Sequence, residues 1–470
     1  MDDDPPPKLP TSIQSLPNEL LLQIISYFDC EPPSISKFSH EPSSALTVSD
    51  YTPLKSLSLV SRRWRSLALS TLFRYTRIDL NEEPRWVPIN ARLIESMQGH
   101  LSKLSDHEMH IYQKMRNIQK SSAMFAFDEM FDDLLVSYCC VQKDDEFLKS
   151  APLIHWLPSL SKTFPTFSRF VEQYGLKRHI ESVIVHTAME YELRHVSTSD
   201  APLRKAVSDI WSQLLSCLEP TRVVVAAPPS TMACLLDTTM LSPDAWAFDM
   251  RMHYIELIQP DPRHNPPHPR SPDCRPWDTA LIHQRPWSHL SYNEGSSISA
   301  YSTYEYHLKQ APKILYLLLC QLSHVSPCCN INSFTFTSVF PYNTSISAII
   351  FVLRKIPTLK KIEVRLAPGP ENNVLASPKR MRRAQPHDLW LEWTESYNCV
   401  ETLLCLYEFG DGAEFTSRDC EQLSLAEEVE DMMQKVRERG IGWRKVERGT
   451  WVRDRALDKP LEEALEVMGQ

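Results

Sequence analysis

The chain has 470 residues, 42% hydrophobic and 23% charged, the balance of a globular protein with room for about two to four domains and a large core. Its 50 Lys plus Arg against 59 Asp plus Glu give a net charge of −9, which argues against a chain built mainly to hold nucleic-acid phosphates. No apolar run approaches the roughly 18 residues of a membrane helix, and the opening "MDDDPPPKLP" lacks the basic and apolar parts of a secretory signal, so the expectation is an intracellular protein of cytoplasm or nucleus.

Residues 1–14 read as a disordered polar tail. In "SLPNELLLQIISYFD", residues 15–29, Leu16, Leu20, Leu21, Ile24, Ile25 and Phe28 recur at helical spacing, and Pro17 falls in a first turn that has no need of its missing N–H. Residues 30–52 are rich in Pro and Ser and carry little periodicity, which predicts a loop. Helical text resumes with Leu57, Val60, Trp64, Leu67 and Leu72 on one side, as one helix or two broken near residues 69–71. It ends in "YTRIDL", residues 75–80, which alternates like a strand.

The order Leu16-Pro17-x-Glu19-Leu20-Leu21-x-x-Ile24-Ile25-x-Tyr27-Phe28, then Leu54-x-x-Leu57-x-Leu59-Val60-Ser61-Arg62-Arg63-Trp64-Arg65-x-Leu67-Ala68, resembles an F-box over residues 15–74. The resemblance implies a helical module that docks onto the Skp-type adaptor of a cullin-RING ubiquitin ligase while the rest of the chain captures a protein substrate. By motif match it assigns adaptor binding to Leu16, Pro17, Leu20, Ile24, Leu57, Val60 and Trp64. Where the family has a short turn between the first two helices, this chain inserts residues 30–52. A surface insertion costs only about 0.6 kcal/mol per doubling of loop length, so the packing can survive it.

Residues 75–174 read as a first strand and a helical connector, for example "NARLIESMQGHLSKL" and "FDEMFDDLLVSYCCV". Over residues 175–455 the spacing apolar-x-x-apolar-x-apolar recurs in "IESVIV", "PTRVVV", "MHYIEL", "WSHLSY", "INSFTF", "LKKIEV" and "VETLLC", which begin at residues 180, 220, 252, 287, 331, 359 and 400. Amphipathic helical text precedes several of these strands, as in "SDIWSQLLSCLEPTRVVVAA". Such helix-strand units resemble the irregular leucine-rich repeats of many F-box family members, although the Asn that follows a repeat strand is missing. The expected fold class is therefore α/β: a helical F-box module, a helical connector and an irregular leucine-rich-repeat-like solenoid, with an ordinary α/β domain as the alternative. A proline-rich loop over residues 259–277 and a polar break over residues 367–388 interrupt it. Near its end, Ser424 and Glu427 read as a capping box, Leu425, Val429, Met432, Met433 and Val436 as a buried stripe and Gly440 as a helix stop, before a tail at residues 456–470.

The 12 cysteines include no C-x-x-C pair, so buried reduced thiols are expected. His264, His268, Cys274 and His283 lack the rigid spacing of metal ligands, and "HEMH" at residues 107–110 falls one residue short of H-E-x-x-H. "GDGAEF" at residues 410–415 lacks the third glycine of a dinucleotide loop. Neither catalytic residues nor a metal or cofactor are expected. "KRMRR", with Lys379, Arg380, Arg382 and Arg383, is expected on a mobile surface loop and reads as a nuclear-import signal or a patch for an acidic partner, with a merely solvated basic loop as the alternative. The sequence thus predicts a non-enzymatic substrate receptor of a ubiquitin ligase. An F-box protein acting in another assembly, or an enzyme whose site is assembled from scattered residues, stays open.

Overall fold

The computed structural model describes residues 13–82, 85–86, 154–155, 157–191, 201–238, 252–259, 281–303, 306, 311–324 and 330–458. Both tails (residues 1–14 and 456–470) for the most part, the helical text of residues 91–150 and nearly all of the proline-rich segment 259–277 lie outside the described residues.

Helix α1 (Asn18–Ser26) begins directly after Pro17, which stands one residue earlier than expected, at the N-cap. The short α2 (Pro33–Ser36) and a 3-10 turn (Ser44–Thr47) occupy the insertion, and α3 (Thr52–Ser58) and α4 (Arg62–Leu72) follow. The break between α3 and α4 comes at residues 59–61 rather than near residue 70. Ser61 turns extended there and its hydroxyl accepts the Trp64 N–H at 3.3 Å, a local cap that starts a new helix. Leu21, Ile25, Leu54, Trp64 and Ala68 fill the centre of this small helical module.

The rest of the described chain is organised on one ten-stranded sheet. Its strands are β1 (Tyr75–Asp79), β4 (Ser182–His186), β5 (Arg222–Ala227), β6 (His253–Ile258), β7 (His289–Ser296), β8 (Ser333–Val339), β9 (Lys361–Arg365), β10 (Glu414–Ser417), β11 (Trp443–Glu447) and β12 (Thr450–Arg453). A separate ribbon pairs β2 (Arg85–Trp86) with β3 (Ile154–His155). The sheet order is β1-β4-β5-β6-β7-β8-β9-β10-β12-β11, so strands lie side by side nearly in chain order, as in a stacked array. Uniform direction is lost, however. β6 runs antiparallel to β5 and β7, and β12 antiparallel to β10 and β11, so the sheet is mixed where leucine-rich repeats would be parallel throughout.

Alternation divides this sheet into two faces. One carries Val183, Val185, Val223, Val225, Ile255, Leu257, Leu290, Tyr292, Phe334, Phe336, Ile362, Val364 and Phe415, packed into a single core with the helices. Those helices are α5 (Phe164–Gln173), α6 (Ala201–Cys217), α7 (Pro229–Leu235), α8 (Leu281–Gln284), α9 (Ile314–His324), α10 (Asn343–Leu353), α12 (Pro386–Leu406) and α13 (Leu423–Glu438), with the short α11 (Pro378–Met381) between α10 and α12. Residues 201–227 and 343–365 are the helix-then-strand units read from the sequence. "VETLLC" is a correction: it is the end of α12, which buries Leu389, Trp393, Tyr397, Val400 and Leu404 at steps of three and four. The strand spacing shares its first step, i to i+3, with a helix, and that ambiguity misled the reading.

Two further expectations change. Helix α13 starts at Leu423 with Gln422 as its N-cap and no side-chain cap bond, so Ser424 and Glu427 form no capping box. Its stripe of Leu425, Val429, Met432, Met433 and Val436 is buried as predicted, and Gly440 adopts φ 84° just past its end. The polar break at residues 367–388 is also structured. It buries Ala367, Val374, Met381 and Ala384 and carries α11 and the start of α12.

Candidate functional site

The seven residues assigned by motif divide by depth. Trp64 is 3% exposed and belongs to the module's core, so it holds α1, α3 and α4 together instead of facing a partner. Leu16, Ile24 and Leu57 are half-buried against that core. Leu20 at 45%, Val60 at 59% and Pro17 face solvent. They are joined by apolar side chains outside the assigned set: Leu59 at 73%, Tyr27 and Phe28. The break at Ser61 produces this surface, because it leaves Leu59 and Val60 exposed in the turn between α3 and α4. Arg63 fixes the entry to α1 by donating to Asn18 Oδ1 at 2.9 Å and to the Leu16 carbonyl.

The insertion is not a free surface loop. It lies across the second face of the sheet, where Phe38 and Leu46 cover Ile184, Val224, Ala226, Met252 and Tyr254. These five would otherwise form an apolar patch on a solvated face. Polar bonds hold the segment down. Asn293 Nδ2 donates to the Phe38 and His40 carbonyls (2.5 and 2.7 Å), and the Tyr254 hydroxyl donates to the Ser43 carbonyl. Arg222 donates to the Ser34 carbonyl at 2.7 Å and Arg77 to the Thr47 hydroxyl at 2.7 Å. At Gly295 (φ 80°) a Cβ would come within 3.3 Å of Pro42, so the bulge in β7 leaves room for the insertion.

Beyond the insertion the same face is polar and open. A cleft of about 1020 Å³ lies between residues 35–41 on one side and the turn at residues 369–373 on the other. Its floor is a register row across four strands, Glu256, Ser291, Thr335 and Glu363. Each carboxylate is already partnered: Arg222 donates to Glu256 in a buried pair, and Arg418 donates to Glu363 at 2.8 Å. Arg365 likewise donates to Glu421 at 2.7 Å. The His289 ring lies 2.5 Å from the Ser291 hydroxyl and 2.8 Å from that of Ser333, and burial holds its imidazole below the usual range. The sequence reading missed these residues. Their signal was present in the polar half of "HYIELI", "HLSY" and "KIEV", whose alternation marks a face away from the core.

The basic cluster corrects a second expectation. Lys379, Arg380 and Met381 lie on α11, Met381 is buried and Arg380 pairs with Glu41 of the insertion at 2.5 Å, so the segment is anchored. Lys379, Arg382 and Arg383 are exposed. Of the weak metal candidates, His283 lies on α8, while His264, His268, Cys274 and the pair His107 and His110 fall outside the described residues. Among the described residues no group of three His, Cys, Asp or Glu gathers to hold a metal, the described cysteines form no disulfide, and no helix is long and apolar enough to cross a membrane.

A family model described as F-box-like matches residues 13–81, which spans α1 to β1 and includes the insertion. No curated protein and no solved structure matches the chain.

Proposed function

From the F-box-like domain at residues 13–81, we propose that this chain is the substrate-receptor subunit of a Skp-cullin-F-box ubiquitin ligase. The observation that carries the reading is the exposed apolar surface of Pro17, Leu20, Leu59 and Val60 on a module whose own core is already filled by Leu21, Ile25, Leu54, Trp64 and Ala68. Apolar side chains left in water on a packed module mark an interface. The Skp-type adaptor occupies it and links the chain to a cullin, and the sheet region holds a protein substrate. The chain performs no chemistry. It raises the local concentration of a target lysine beside a ligase-bound thioester.

Affinity purification of the tagged chain tests this reading. Recovery of a Skp-type adaptor together with a cullin supports it. Recovery of the adaptor without any cullin assigns the F-box to another assembly.

A further inference from the structure

The cleft on the open face of the sheet is walled on one side by the F-box insertion itself, residues 35–41, and on the other by residues 369–373. We propose that this composite cleft is the substrate site, and that its occupant is an extended polypeptide segment without net charge. The inference deepens the substrate-receptor reading and rests on it.

The lining argues against the commoner ligands. Small-molecule pockets enclose roughly 300–1,000 Å³ and are mostly apolar. This cleft is at the top of that range, but it is partly open to solvent and lined mainly by polar and charged side chains, Ser291, Thr335 and Thr337 among them. A polypeptide segment, which is itself rich in amide donors and acceptors, suits such a lining better than an apolar ligand does.

Charge selects the class of segment. The lining cations are Lys37, Arg222, Arg365 and Arg418 and the lining anions Glu41, Glu256, Glu363, Glu371 and Glu421, four against five. Moreover, Arg222, Arg365 and Arg418 already answer Glu256, Glu421 and Glu363 within the chain. A strongly acidic or phosphorylated partner would have to break those pairs, and a strongly basic one would have to do the same from the other side. Of the remaining lining groups Lys37 and Glu371 offset each other in charge, and the hydroxyls and amide of Ser39, Thr335 and Asn373 can both donate and accept. Such groups complement main-chain amides and uncharged polar side chains.

The test uses the full chain purified with its adaptor and a phage-displayed library of random peptides. Enriched peptides should carry few charges, and their affinity should fall by at least about tenfold in Thr335→Arg, which fills the floor of the cleft. Asn372→Arg, on the opposite wall, provides a second variant if Thr335→Arg loses its native melting transition. Lys435→Ala, at an exposed position of α13 outside both the cleft and the F-box module, should leave peptide binding unchanged. Failure of the adaptor reading would show separately, as loss of adaptor recovery by the unaltered chain. Enrichment of strongly acidic or basic peptides, undiminished binding by both cleft variants, or no enrichment at all would overturn the proposal.

Discussion

Leu20 and Leu21 are sequence neighbours with opposite duties, since Leu21 is fully buried in the module's core while Leu20 is exposed. Leu21→Ala should therefore destabilise the module by about 2–5 kcal/mol and lower its melting temperature, read by calorimetry. Leu20→Asp should leave melting nearly unchanged and abolish adaptor capture, because the charge becomes costly only when a partner covers it. A second residue-scale contrast sits at Asp419, a buried carboxylate that accepts the Leu366 and Ala367 N–H groups, the Trp393 indole N–H and the Tyr397 hydroxyl. Burial pushes its carboxyl up although these donors pull it down. Asp419→Ala removes the acceptor of the Leu366, Ala367 and Trp393 N–H groups at the junction of β9, α12 and β10, while the Tyr397 hydroxyl keeps Ser417 Oγ, so denaturant titration should show a loss of several kcal/mol. Glu294 gives a pH test. Burial raises its carboxyl to about 7 from the ordinary 4.5, with the Ser338 hydroxyl donating to it at 2.7 Å. A folded-state value above the unfolded one means that its contribution is complete below about pH 4.5 and is lost as pH rises through about 7. Glu294→Gln should thus flatten the fall in stability across that window, and an unchanged slope in chemical denaturation would show that the carboxyl is not the titrating group.

At the scale of elements, most strands were legible because each carries a run of apolar residues on the core side, and "YTRIDL" was legible as the first of them. The failures have physical causes. "VETLLC" was read as a strand because its spacing starts with a step that helices share, and only the longer register from Leu389 to Leu404 shows a helix. The hairpin of β11 and β12 was missed because β11 has charged or exposed residues after Trp443, as befits an edge strand. The insertion was read as a loop from its composition, and composition is silent about Asn293, Tyr254 and Arg222, the distant residues that hold it. Its packing makes a prediction at this scale. Tyr254→Phe combined with Asn293→Ala should accelerate amide exchange across residues 38–46 while leaving α1 and α4 protected. Unchanged exchange would mean that apolar contacts alone fix the segment. For the basic cluster, alanines at Lys379, Arg380, Arg382 and Arg383 should reduce nuclear accumulation if it is read by an import receptor. Unaltered localisation would leave Arg380 with the local task of pairing Glu41.

For the whole molecule, the candidate sites differed in how far they could be read. The F-box surface follows from residue order within a short stretch, whereas the cleft is assembled from β6, β7, β8, β9 and a segment more than two hundred residues earlier in the chain. The insertion joins the two, since it leaves the module between α1 and α3 and covers the apolar part of the sheet face. Adaptor capture depends on Leu20 and its exposed neighbours on the module, and isothermal titration of the purified chain with a purified Skp-type adaptor measures it. Saturable one-to-one binding by the unaltered chain and no detectable heat with a folded Leu20→Asp variant is the predicted result, while equal binding by both, or none by the unaltered chain, would contradict it.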